Sequence, residues 1–330
     1  MLLVFLSTFL PFPATGQDEG TPDTGSKDGV KLDEFHEKWS LRVLKAADSI
    51  DSFFGNERIE NDAQKTRVRL RLDSELKQDE DDEFRASLSA KISLPGLSNR
   101  WSLIVGGDDD GDEFRRSGDT IDEQTLAIRF NQVNTLTRNT SFDFGVRRPD
   151  GKYRVFGRVR HRKTIPHDKW ITRPDNKFYY YNNFGFEYDG TLDFDRVIPP
   201  SLMFRASTRV RWWEDDERCN GGWCPEQHFF LYQRFKSPKH VMAYEWSTFL
   251  ESDPSDGSDD YVEGSVLQLR YRRRTRWEWL FWEVSPGVTF RREHDYDAKG
   301  VFLFRLESIF GYQPDYGSLI DFGPERALDD

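Results

Sequence analysis

From Thr66 onward the chain alternates apolar and polar side chains one for one. "TRVRLRLDSEL" sets Val68, Leu70 and Leu72 against Arg67, Arg69, Arg71 and Asp73. In an extended strand, successive side chains point to opposite faces, so such a segment has one oily face and one charged face. "SLMFRASTRVRWW" repeats the rule, with Leu202, Phe204, Ala206, Val210 and Trp212 against Arg205, Arg209 and Arg211. "SFDFGVRR", "YRVFGRVRH" and "VFLFRLESIF" do the same and put Asp143, Arg154, Arg158, Arg160, Arg305 and Glu307 on the charged face. Glu245, Arg270 and Arg272 join them from the segments 239–250 and 261–272.

Fourteen such segments can be marked, within two either way (12–16). They lie near 66–76, 83–93, 100–107, 123–131, 139–147, 151–163, 175–182, 187–195, 201–213, 226–235, 239–250, 261–272, 277–291 and 301–310. Each approaches the roughly nine to eleven residues that a tilted strand needs to cross a bilayer. Only helices and closed barrels satisfy every backbone polar group in lipid. The pattern therefore predicts an all-β, transmembrane, antiparallel up-and-down β-barrel over 66–310. An even strand count returns both termini to the same side.

The joints give a second periodicity. "KQDEDDE", "DDDGDEFRRSGD", "EDDERCNGGWC", "DPSDGSDD" and "REHDYD" are acidic, and the joints between them are short and neutral or basic, as in "PGLSNR", "VIPPS" and "KSPK". Long outer loops alternating with tight periplasmic turns predict such an order. "TIPHDKWITRPD", after the sixth segment, is long for a turn on the periplasmic side. Trp101, Trp212, Trp213, Trp246, Tyr261, Tyr271, Trp277 and Trp279 are expected to form interfacial girdles.

Before the barrel, residues 1–16 read as a signal peptide with a small-residue cleavage site at Ala14–Gly16, and 17–31 as a polar, flexible leader. In 32–55 the residues Phe35, Trp39, Val43, Ala46, Ile50 and Phe53 recur at three- and four-residue steps, the stripe of a short amphipathic helix. A tail, 311–330, follows the last strand segment.

Composition narrows the classes further. Hydrophobic residues make up 36% and charged residues 32%, yet aromatics reach 15%. Disordered chains lack aromatics, whereas a barrel needs an apolar residue only at every second strand position. A net charge of −11 argues against nucleic acid as a partner. Cys219 and Cys224, close together in an exported chain, are expected to form a disulfide in an outer loop. Asp108, Asp110 and Asp112 offer oxygen ligands for a divalent cation, but a solvated charge run has the same composition, and no metal or cofactor is assigned. No nucleophile elbow, Walker loop, zinc helix or dinucleotide fingerprint occurs, and the six histidines are scattered. The expectation is a non-enzyme. An outer-membrane phospholipase-like hydrolase is the alternative, with His228 near the outer rim but no identifiable serine partner.

The region Thr66–Phe310 resembles a Gram-negative outer-membrane β-barrel, porin-like in pattern. "WLFWEVSPGVTFRREHDYD" (Trp279–Asp297) is similar to the late strands of an uncharacterised proteobacterial barrel family that brings no assigned activity. The expected setting is the outer membrane, with its lipid and lipopolysaccharide as partners. Helix 32–55 is expected to dock on a periplasmic partner or to support a homo-oligomer. A lumen lined by Arg67, Arg69, Arg71, Arg154, Arg158, Arg160, Arg205, Arg209, Arg211, Arg270, Arg272 and Arg305 would pass small anions. The rival expectation is a structural or assembly barrel whose lumen is closed by pairs of these arginines with carboxylates.

Overall fold

A computed structural model describes residues 66–311, apart from 95, 97, 99, 107–123, 136, 149–151, 168, 183–184, 199–200, 215–222, 236–238 and 252–260. The sequence elements assigned to 1–65 and 312–330 lie outside the described residues. So does the candidate cation ligand set Asp108, Asp110 and Asp112.

The described chain is one antiparallel sheet of extended strands. These are β1 (Arg67–Lys77), β2 (Glu83–Ser93), β3 (Trp101–Gly106), β4 (Thr125–Asn134), β5 (Arg138–Arg147), β6 (Arg154–Lys163), β7 (Ile165–His167) and β8 (Trp170–Tyr181). They continue with β9 (Gly185–Ile198), β10 (Leu202–Trp213), β11 (Trp223–Arg234), β12 (His240–Glu251), β13 (Tyr261–Arg274), β14 (Leu280–Arg291) and β15 (Ala298–Gly311). Consecutive strands pair, β6 also pairs with β8, and β1 pairs with β15, so the sheet closes into a ring.

β6 and β7 are one strand of this ring with a break. Arg162 faces Asp175 and Ile165 faces Thr172, which is a single continuous register, and Pro174 sits opposite the gap. Proline has no N–H to give to a ladder. The break therefore falls where β8 has no donor to offer. Fourteen strands result, and β8 begins at Trp170 rather than at 175. The stretch that read as an overlong turn is mostly wall. The ladder between β13 and β14 also lapses between the pairs Gln268–Gly287 and Tyr271–Val284, opposite Pro286. There the Gln268 Nε2 donates to the Ser285 carbonyl at 3.4 Å.

Alternation along each strand sorts the side chains between two faces. Outward go Leu70, Leu126, Ile128, Phe144, Phe194 and Leu267, all exposed among the described residues. A continuous apolar exterior on a closed ring is compatible with lipid rather than water. Aromatics concentrate toward its two rims. Trp277, Trp279 and Phe310 stack in series at 6.0 and 5.8 Å near the end where β1 starts and β15 stops. Phe178–Tyr188 and Tyr180–Phe186, each at 5.0 Å, mark the distal end. Two expected girdle members differ. Trp213 faces inward and is buried, because its neighbour Trp212 takes the outward position and adjacent strand residues cannot share a face. Trp246 faces outward but at mid-strand, against Phe229 at 5.5 Å. The distal connections include the acidic 78–82 and 292–297, although 182–184 at that end is short.

Candidate functional site

The inward faces carry the charged positions, and the register brings them into pairs. Asp143 on β5 stands between Arg129 on β4 and Arg158 on β6. Arg129 donates to it at 2.9 and 3.1 Å, and the Arg158 Nε at 2.7 Å. Asp175 is shared by Arg160, at 3.1 and 2.7 Å, and Arg162, at 3.2 and 3.1 Å. Asp195 is shared by Arg205, at 2.6 Å, and Arg173. Asp189 accepts from Arg209 at 2.9 and 2.7 Å, with Lys177 3.7 Å away.

Across the ring closure, Arg305 on β15 clamps Asp73 on β1 at 2.8 and 3.0 Å. Glu307 receives Arg71 at 2.5 Å and Arg272 at 2.6 Å, with Arg69 at 3.7 Å. Arg270 donates to Glu283 at 3.0 Å, and Arg272 approaches the same carboxylate at 3.5 Å. Glu245 lies 3.9 Å from Arg270 and accepts the Ser247 hydroxyl at 2.8 Å. Arg211 pairs with Glu226. Arg67 is buried at the start of β1, and Arg154 is half-buried near the distal end, opposite Arg147 in the register.

The recurring unit is one carboxylate between two cations. Removing charges from water is costly unless attraction and hydrogen bonds compensate, and a shared carboxylate supplies both to two guanidinium groups. Among the buried charged side chains of the described residues, fourteen are cationic and ten anionic.

Near the distal end the wall also holds rings. Phe156, Tyr179, Tyr181 and Trp213 pack with Ala127 and Cys224. Tyr179 lies under two guanidinium groups, 4.7 Å from Arg147 and 5.3 Å from Arg158, within cation–π range. Tyr181 donates to Glu187 at 2.7 Å and receives Arg147 at 2.5 Å. Cys224 is disulfide-bonded, while Cys219 lies outside the described residues.

Several members of this interior were not marked from sequence. Asp175 and Arg173 sit on the part of β8 that the prolines hid. Asp189 shares the inward parity of Asp193 and Asp195 on β9, Glu226 that of Arg234 on β11 and Glu283 that of Arg291 on β14, and parity alone could have found them. His228 has the serine neighbour that sequence did not show. Its Nδ1 is 2.7 Å from the Ser247 Oγ, and its Nε2 is 3.3 Å from Glu226. The Ser247 proton goes to Glu245 rather than to the imidazole, and both side chains are buried on the inner wall. At the distal rim, donor atoms of Glu80, Glu293 and His294 lie within 4.8 Å of one another. Arg291 already engages Glu293 at 2.9 Å and reaches Glu80 at 4.0 Å.

No family model matches the chain, and no curated protein matches it in sequence. Solved structures of similar fold include a loop-deleted OmpT, an outer membrane protein of Vibrio cholerae, with 9% identity and a TM-score of 0.49, covering 74% of this chain and 98% of that one. OccAB4 of Acinetobacter baumannii is similar at 7% identity and a TM-score of 0.44, over 76% of this chain and 100% of the other. The outer membrane channel DcaP of the same species gives 9% identity and a TM-score of 0.43, over 74% and 96%. The closed ring of fourteen strands, with its apolar exterior and charged interior, has the fold of an outer-membrane β-barrel.

Proposed function

We propose that this protein is an outer-membrane channel that passes small anionic solutes through a cationic interior. The observation that carries the reading is the sharing of wall carboxylates. Asp143, Asp175, Asp195 and Glu307 each serve two cations or more, so the wall keeps an excess of positive charge. A charged wall in a low-dielectric shell focuses the field on ions of opposite sign. Fourteen strands lie between the filled eight-stranded barrel and the open sixteen-stranded porin, so the interior has room beyond its own side chains. The membrane lipid contacts the outward belt, and lipopolysaccharide faces the distal rim.

Single-channel recording on refolded protein in planar bilayers tests the reading. Discrete conductance steps are expected, with a reversal potential under a salt gradient that indicates anion preference. Silence at every voltage, or cation preference, overturns it. A second reading, a structural or assembly barrel closed by its own ion pairs, draws support from the burial of the same ladder. Silence in the recording is what that reading expects.

A further inference from the structure

On the outside of the barrel, one arc of the belt carries cations at its edge. Arg138 opens β5 and Lys163 closes β6, and both are exposed. Their neighbours Asn139 and Arg162 are buried on the inner face, so parity turns Arg138 and Lys163 outward. The register sets the two directly opposite each other. Like charges in that position repel, with Cβ atoms about 4.5–5.5 Å apart. Two strands further round, Arg196 is exposed on the outward parity of β9, close to the end of that strand. Its guanidinium lies 5.2 Å from the ring centre of Trp170, its register partner on β8. Trp170 meets Phe204 edge-on at 6.4 Å, and exposed Lys169 precedes it in the turn. All four cations lie near the end where β1 starts.

Inside the wall, arginines meet carboxylates; on this arc they do not. Among the described residues, the outward positions of β5, β6 and β8 to β10 hold no Asp or Glu, and Arg138, Lys163 and Arg196 make no ion pair. Water would solvate separate cations but gives no reason to place two opposite each other. The position of the patch indicates the missing anion. A cation is tolerated on the lipid face only near an interface, where headgroups reach it. Phe142, Val159 and Phe194, further along the same strands, are exposed toward the hydrocarbon. The connections at this end, 135–137 and 199–201, are short, and short turns mark the periplasmic side of such a barrel. The layer on that side is the phospholipid leaflet.

We propose that the outward patch of Arg138, Lys163, Lys169 and Arg196 is a binding site for phospholipids with a net negative headgroup. A phosphate between Arg138 and Lys163 turns their repulsion into two charge-assisted contacts. Trp170 holds the Arg196 guanidinium flat by cation–π attraction and anchors at the same interface. The acyl chains then run along Phe142, Val159 and Phe194. The inference stands on the barrel fold and the direction of its loops, and conduction has no part in it.

Native mass spectrometry of the full chain, refolded in detergent micelles, tests the site. Phosphatidylglycerol and phosphatidylethanolamine with identical acyl chains are titrated in turn, and retained lipids are counted. Phosphatidylglycerol should be retained several-fold more strongly. A surface cation beside an anionic headgroup is worth roughly fivefold in affinity. Arg196→Gln should therefore lower phosphatidylglycerol retention by about that factor, and Arg138→Gln with Lys163→Gln by more. Arg273→Gln, an exposed cation at the same end on β13, is the control and should change nothing.

Equal retention of the two lipids overturns the proposal, as does a preference unchanged in the patch variants. An equal loss in Arg273→Gln also overturns it, because the charge of the whole rim, and not this patch, would then be responsible. Stronger retention of lipid A through the same residues overturns it by moving this end to the other leaflet. If the variants do not fold, the unaltered chain still decides. Headgroup charge is screened by salt, so a preference that survives molar salt counts against the site.

Discussion

At the scale of single residues, the interior depends on carboxylates with two obligations each. Asp143→Asn would leave Arg129 and Arg158 buried without their counter-charge. Breaking a buried pair from one side typically costs about 3–5 kcal/mol. We expect a loss of that order in urea unfolding of the membrane-inserted protein. Adding Arg158→Met should return part of it, since one stranded cation is then gone; no recovery would mean that the pair does not act as a unit. At the distal rim, the hydrogen bond and charge of Lys299, 2.7 Å away, hold the Asp79 carboxyl below its ordinary value of about 3.9. A depressed carboxyl contributes stability above its unfolded pKa and loses it as pH falls through the lower, folded one. Carbon-detected NMR should place the Asp79 midpoint below the usual Asp range. Lys299→Met should move it back up, and an unmoved midpoint would remove Lys299 as the cause.

At the scale of strands, one parity rule governs both faces. Leu267 lies on the outward face at the middle of β13, and its neighbour Gln268 turns inward. Leu267→Arg should cost about 2–4 kcal/mol, as expected for a guanidinium at the bilayer midplane. Equilibrium unfolding in liposomes measures this, and a cost near zero would place the residue outside the hydrocarbon. The strands themselves were legible because alternation is strict: β2 runs from Glu83 to Ser93, where the pattern put it. Legibility failed at prolines. Pro174 made Trp170–Arg173 read as loop, because nothing local shows that its missing donor coincides with a break in the strand opposite. Pairing was legible only in part. Parity marks Arg158 and Asp143 as inward, but which arginine reaches which carboxylate depends on register, and register is set by the whole ring. Trp213 shows the same limit, since an aromatic near a strand end reads as a girdle residue until the parity of its neighbour is counted.

At the scale of the whole molecule, the closure between β1 and β15 has a cost in time. The two strands meet along eleven residue pairs, fastened by Arg305 to Asp73 and Arg71 to Glu307 across 232 and 236 residues of intervening chain. Closing so long a loop is entropically expensive, and contacts this distant in sequence form slowly. Deleting residues from Ala298 onward should leave β1 and β14 with open edges, and the protein should run as an unfolded band in cold semi-native electrophoresis where the full chain stays compact. An intact compact band would contradict the pairing. Until that last strand arrives, thirteen others must wait with unclasped edges in a compartment where edges recruit neighbours. Birth of this molecule is therefore a race between self-fastening and aggregation, and an escort that shields the first strand until the last is delivered would decide the winner.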